Sequence, residues 1–186
     1  MMGDSSEMKK MRKFGLFAGI FAAVLACCAI RIEAQLPSPP ARAACKFSDG
    51  KTITVNYSSP RMRGRNIFGG LVPFGEVWRA GADDATTFVP NADVTVGGKN
   101  VPAGKYTLFT LPTQTKWTLI VSKQTGEWGI PYPGEKYDFA RLEMQVSKLP
   151  SPVENFTISF DQAGTSCMMK LDWETTRASI DITEKK

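Results

Sequence analysis

Phe156-Thr157-Ile158-Ser159-Phe160 and, beyond Gly164, Cys167-Met168-Met169-Lys170-Leu171-Asp172-Trp173 carry an apolar residue at every second position. That period marks a strand with one face buried and the other wet. A two-residue turn at Ala163-Gly164 sets Phe160 opposite Cys167, Ile158 opposite Met169 and Phe156 opposite Leu171, so the apolar members of both strands share a face. Working outward, Leu142, Met144 and Val146 alternate with Glu143, Gln145 and Ser147, and Ala178, Ile180 and Ile182 alternate with Ser179, Asp181 and Thr183. These segments predict an antiparallel meander of four successive strands.

The first half repeats the pattern in shorter pieces: Ile53, Val55 and Tyr57; Val94 and Val96; Tyr106 and Leu108; Trp117, Leu119 and Val121. No stretch beyond the leader described below keeps helical spacing over three turns. With Asp49-Gly50-Lys51 as a three-residue loop and Gly50 in the left-handed region, Phe47 falls opposite Ile53 and Cys45 opposite Val55, which points Cys45 inward. Many short strands with frequent turn signals give an all-β fold, an antiparallel β-sandwich or flattened barrel.

Ahead of this domain, Lys9-Lys10-Met11-Arg12-Lys13 leads into the apolar run Phe14 to Ile30, the pattern of a secretory signal. The small residues Ala22, Ala23, Ala26 and Ala29 favour a cleaved segment over a retained anchor, with Ile32-Glu33-Ala34 as the cleavage site and Ala41-Arg42-Ala43 as a second candidate. Lipidation at Cys27 is a minority reading, because the bulky Leu25 fits a lipoprotein box poorly. The organisation expected is a signal peptide at 1–34, a proline-rich tether at 35–44 and a single β-sandwich domain at 45–186. Removing the leader also removes Cys27 and Cys28, leaving Cys45 and Cys167 as an even pair in an oxidising compartment. A Cys45–Cys167 disulfide is expected.

The composition narrows the chemistry. Of 186 residues, 42% are hydrophobic and 22% charged, as in an ordinary globular domain, and the net charge of +5 shrinks once the basic leader is removed. Nucleic acid is therefore not an expected partner, and a membrane is expected only through an uncleaved leader. The chain has no histidine. That removes Ser/His and Cys/His nucleophile pairs and imidazole-ligated metals, and neither a cofactor nor a metal is expected.

Three stretches break the alternation, and loops on a rigid sandwich commonly carry function. In the first, Arg61, Arg63 and Arg65 bring three guanidinium groups into five residues. They read either as an anion clamp or as a solvated turn. The second, Phe74 to Thr87, holds Trp78, Arg79, Asp83, Asp84, Thr86 and Thr87. Its polar groups suit a ligand pocket, while the plainer reading packs Trp78 into the sandwich and pairs Arg79 with an acid. Adjacent Asp83 and Asp84 point opposite ways on an extended chain, which argues against a metal site. The third, Trp128 to Tyr137, gathers three aromatics in a loop stiffened by two prolines. They serve either to stack on sugars or peptides or to lid an open end of the sandwich.

With these segments in view, the chain resembles the secreted bacterial family known as domain of unknown function 2911. The resemblance is carried by Val55-Asn56-Tyr57-Ser58-Ser59-Pro60, Gly64-Arg65-Asn66-Ile67-Phe68-Gly69-Gly70-Leu71-Val72-Pro73, Gly75-Glu76-Val77-Trp78-Arg79-Ala80-Gly81-Ala82 and Ala85-Thr86-Thr87. It continues through Val94-Thr95-Val96-Gly97-Gly98-Lys99, Pro102-Ala103-Gly104-Lys105-Tyr106, Trp117 and Trp128-Gly129. It implies an exported all-β domain and brings no activity or catalytic residue with it. One departure is Ser59, where the family pattern often carries an arginine before the proline. An anion site shared with the family would fall here to Arg61, Arg63 or Arg65.

The function expected is that of an exported, non-catalytic binding or accessory protein of the bacterial envelope. Its ligand face would draw on Arg61, Arg63, Arg65, Trp78, Arg79, Thr86 and Thr87, and its partner would be a small anionic or polyhydroxy molecule or an envelope protein. The alternatives are an assembly subunit and a carboxylate-based glycan hydrolase using Glu76, Asp83, Asp84 or Asp138.

Overall fold

The computed structural model describes residues 37–185. The leader and its cleavage point lie outside the described residues. The strands run β1 (Pro40–Lys46), β2 (Thr52–Ser58), β3 (Thr87–Pro90), β4 (Val94–Val96), β5 (Lys99–Val101), β6 (Tyr106–Pro112), β7 (Trp117–Ser122), β8 (Asp138–Ala163) and β9 (Ser166–Glu184). They form one antiparallel sheet in the order β1-β2-β3-β6-β7-β8-β9-β4-β5, folded over on itself but not closed into a barrel. The all-β expectation holds, and β1 opens at Pro40, within the stretch read as tether.

Both hairpins expected from the sequence form, each with its register displaced by two residues. In the first, Cys45 pairs with Ile53 and Ala43 with Val55. The loop is Ser48-Asp49-Gly50, since Phe47 N–H donates to the Lys51 carbonyl at 2.8 Å and Asp49 Oδ1 accepts the Lys51 N–H at 3.0 Å. That Asp side-chain bond draws Asp49 into the middle of the loop and Lys51 onto the strand. In the second, Ala163 pairs with Ser166 and Phe160 with Met169, so the turn is Gly164-Thr165 rather than Ala163-Gly164. A two-residue displacement leaves every side chain on its expected face, which is why Cys45 and Cys167 still point inward. They form a disulfide with Cα atoms 6.4 Å apart, joining β1 to β9.

The meander of four strands is in fact one hairpin of two long strands. β8 runs unbroken through Leu149-Pro150-Ser151-Pro152, and β9 through Glu174-Thr175-Thr176-Arg177. Register shifts between Lys148 and Val153 and between Val153 and Thr157, with Glu174 at φ 53, mark the break in alternation. Proline and a left-handed residue are accommodated at bulges, where the ladder is already interrupted. The irregularity lets β8 pair with β7 through its first part and with β9 through its second, so it belongs to both layers.

Between the layers, Ile53, Val55, Leu108, Leu119, Val121, Met169, Leu171 and Trp173 are almost fully buried. Phe68, Trp78, Phe156 and Trp173 form an aromatic cluster, Trp78 stacking on Trp173 with centroids 5.7 Å apart and meeting Phe156 edge-on at 4.9 Å. Phe109 and Ile120, each 0% exposed, pair across β6 and β7 and lie outside this main core. They occupy the opposite face from Leu108 and Val121, and that second buried face positions the candidate site.

Candidate functional site

The three loops do not gather at one point. Arg61 forms an isolated bridge with Asn155 of β8 and donates from Nη1 to Asn155 Oδ1 at 3.1 Å. Arg63, at φ 50, donates its backbone N–H to Glu154 Oε1 at 2.9 Å. The Arg65 guanidinium is spent on its own turn, Nε donating to the Met62 carbonyl at 3.0 Å and Nη2 to the Arg61 carbonyl at 2.7 Å. All three side chains are exposed. Ser59 is buried and donates to the Phe156 carbonyl at 2.7 Å. This turn latches the end of β2 onto β8.

The second and third loops do meet. Trp78 N–H donates to the Thr110 carbonyl at 2.8 Å, and Thr110 N–H returns the bond to the Trp78 carbonyl at 2.7 Å. This antiparallel bridge turns the Trp78 ring toward the main core and leaves Arg79 beside Phe109 on the other face. The chain loops out through Ala80 and Asp83, both with positive φ, and returns as Leu108 N–H donates to the Thr86 carbonyl at 2.8 Å. That brings Ala85 to Phe109 as well. Thr86, fully buried, closes the loop by donating Oγ1 to the Ala80 carbonyl at 2.7 Å, and Trp78 Nε1 reinforces it by donating to the Gly81 carbonyl at 2.9 Å. Thr87 sits on β3 and accepts from Asn56 Nδ2 at 3.3 Å. Of the four residues expected to share a pocket, Trp78 and Thr86 therefore serve the loop's interior, Thr87 the strand pairing, and Arg79 alone reaches the third loop.

That loop lies across the same face. Tyr132 packs edge-on against Phe109 at 5.2 Å, and its hydroxyl bonds Asp138 Oδ1 at 2.5 Å. That bond and the donation from Arg141 Nη2 to the Tyr132 hydroxyl at 3.2 Å tie the loop to β8, and Arg141 Nε donates to Asp138 Oδ2 at 2.7 Å, which occupies the Asp138 carboxylate. Burial first, and Asp138 second, push the Tyr132 hydroxyl up to about 12. At the other end of the loop the Arg79 guanidinium carbon lies 5.2 Å from the Trp128 ring centroid, a cation–π contact. Gly129 is buried so tightly that a Cβ there would lie 2.9 Å from Ala85 Cβ and 3.1 Å from Arg79 Cβ. Ala85 N–H donates to the Glu127 carbonyl at 3.2 Å.

Two ionisable groups here are unsatisfied among the described residues. Arg79 Nε and Nη1 are buried without an acceptor, and Glu127 Oε1 is buried without a donor. Burial lowers the Arg79 proton affinity, opposed by the nearby charges of Asp83 and Asp84, and burial raises that of Glu127. An unmade hydrogen bond to a buried group costs about 1–3 kcal/mol, and more when the group is charged. The site is thus a guanidinium with two donors lacking an acceptor, covered by Gly129 and by Trp128, which is itself 53% exposed beside Ile130 at 64%. Glu127 went unrecognised in the sequence because it precedes the aromatic stretch and carries no motif. Only the fold brings it to Ala85.

No curated protein and no solved structure matches the chain. The family model described as protein of unknown function (DUF2911) matches residues 38–182, nearly the whole described domain, and the chain belongs to that family.

Proposed function

We propose that the protein is an exported, non-catalytic binding protein that holds a small ligand through an oxyanion on Arg79. The observation that carries this reading is the pair of buried Arg79 donors, Nε and Nη1, with no acceptor among the described residues. These two N–H groups lie on different edges of the guanidinium, and each is a charged donor suited to an oxyanion. A ligand oxyanion that reaches either one makes a charge-assisted bond and removes the cost of leaving that donor unmade. Export is supported by the basic and apolar leader and by the Cys45–Cys167 disulfide, which suits an oxidising compartment. The absence of histidine and the engagement of Asp138 by Tyr132 and Arg141 favour binding over hydrolysis.

A thermal-shift screen of small carboxylates, covering amino acids, hydroxy acids and sugar acids, tests this on the wild type and on Arg79→Met, which keeps the apolar stem. Stabilisation by at least one carboxylate, lost in Arg79→Met, is the expected result. A shift of the same size in both proteins would refute the assignment.

A further inference from the structure

A separate cavity opens where β8 and β9 part. Their ladder ends at the Gln145–Ser179 pair, beyond which β8 pairs with β7 through Glu143–Thr118 and β9 pairs with β4 through Ile182–Val96. Glu143 and Gln145 on β8, and Ser179 and Asp181 on β9, alternate with the buried residues of those strands, so the four polar side chains share the outer face. They line one open cavity of about 110 Å³. A turn and two apolar side chains complete its wall. Gly97 N–H donates to the Asp181 carbonyl at 2.9 Å, and a Cβ on Gly97 would lie 2.9 Å from Ile180 Cδ1. Glu184 N–H donates to the Thr165 carbonyl at 2.9 Å, which folds the start of β9 back toward its end and brings half-buried Met168 to the cavity.

The polar groups here are unspent. Ser179 is 8% exposed, yet its hydroxyl has no hydrogen-bond partner among the described residues, and the cavity is where it points. Asp181 takes part in no salt bridge among them. Glu143 meets Lys116 at 3.6 Å with both side chains 70% exposed, a loose contact that a ligand can replace. No lysine or arginine lines the cavity, so its two carboxylates select a positive ligand. A calcium ion takes six to eight oxygens, whereas no three acidic, histidine or cysteine side chains gather among the described residues, and it would leave Met168 and Ile180 unused. An ammonium brings three donors to these oxygens, and its alkyl stem meets the two apolar side chains. A cavity of about 150 Å³ accepts benzene, so this smaller one has room for the ammonium and the first carbons of the stem, the rest leaving through the open side.

We propose that this cavity binds the ammonium end of an alkyl amine, independently of Arg79, with Asp181 and Glu143 balancing its charge and Ser179 and Gln145 accepting its remaining protons.

Backbone ¹H–¹⁵N spectra of the disulfide-bonded protein, titrated at constant ionic strength with n-butylammonium, n-butanol and calcium, test this. Butylammonium is expected to move the Gly97, Ser179 and Asp181 resonances saturably and to bind at least tenfold more tightly than butanol, which corresponds to about 1.4 kcal/mol. Asp181→Asn, at an exposed position, is expected to weaken butylammonium at least fivefold, and Lys116→Ala, which releases Glu143, to strengthen it. Cadaverine and Nα-acetyl-lysinamide, titrated in the same way, distinguish a free amine from a lysine side chain by which of the two binds more tightly. Butanol matching butylammonium, equal affinity in Asp181→Asn and the wild type, or calcium moving these resonances while butylammonium leaves them still would overturn the proposal.

Discussion

Gly129→Ala tests whether the Trp128 loop is packed onto Arg79 and Ala85, and Gly126→Ala supplies its internal control. The two glycines have nearly the same backbone conformation, φ +80 and φ +77, so an alanine pays a similar left-handed penalty at either, about 1–2 kcal/mol. They differ in surroundings. A Cβ at Gly126 meets nothing within 4 Å, whereas at Gly129 it would lie 2.9 Å from Ala85 Cβ and 3.1 Å from Arg79 Cβ. Ala85 Cβ is fixed to the backbone and cannot rotate away, so overpacking adds about 1–3 kcal/mol at Gly129 only. The expected losses are thus about 1–2 kcal/mol for Gly126→Ala and about 2–5 kcal/mol for Gly129→Ala. For a domain of this size the added loss is worth about 2–4 °C of melting temperature per kcal/mol, readable by calorimetry or circular dichroism. Equal melting temperatures for the two variants would refute the packing of Gly129 against Arg79 and Ala85, and with it the covered guanidinium.

Three further outcomes are expected. Reducing the Cys45–Cys167 bridge, which spans a sequence separation of 122, removes about 4–5 kcal/mol in the chain-entropy model, seen as a lower denaturant midpoint with reductant present; an unchanged midpoint would contradict it. Tyr132 should titrate near 12, well above an ordinary tyrosine, and because its folded value is raised, the stability it lends is complete below pH 10 and lost as the pH climbs through 12. Difference absorbance near 295 nm against Tyr132→Phe checks it, and a phenolate appearing near 10 would show that the hydroxyl is not buried beside Asp138. Glu127 is raised by burial, so in the folded chain its carboxylate is disfavoured once the pH passes the ordinary carboxylate range. Glu127→Gln should therefore raise the melting temperature at pH 7 relative to wild type and lose that advantage at acid pH, and a pH-independent difference would count against a desolvated carboxylate.

The strands were legible because each presents one face to the core, and period two survives wherever that holds. Parity, though, repeats every two residues. The pairing of Phe160 with Met169 instead of Cys167, and of Cys45 with Ile53 instead of Val55, satisfies the same apolar pattern as the expected registers. Deciding between them took the Asp49 side-chain bond and the Gly164-Thr165 turn. The continuity of β8 was hidden because the alternation stops between Ser147 and Phe156, where Pro150 and Pro152 lie and the β8–β9 register shifts. At the site, the stretches around Arg79 and Trp128 were visible as departures from alternation, and the family resemblance ran through both. Their meeting was not visible, because it depends on the Trp78–Thr110 bridge and on Gly129 fitting against Ala85, contacts between segments far apart in the chain. The arginine turn was open to two readings in the sequence for a related reason. Arg65 satisfies its donors on its own turn's carbonyls, which composition alone does not reveal.

The most direct test of the Arg79 assignment is the arginine Nε–H region of the ¹H–¹⁵N NMR spectrum, with Arg79 assigned by its absence in Arg79→Lys, recorded before and after saturation with the carboxylate that stabilises the protein most in the thermal-shift screen. The account predicts that the Arg79 Nε–H resonance moves downfield as it gains a carboxylate acceptor, while the Arg61, Arg63 and Arg65 resonances hold still. Movement of the Arg61 to Arg65 resonances with Arg79 unchanged, or no movement of any arginine, would contradict it.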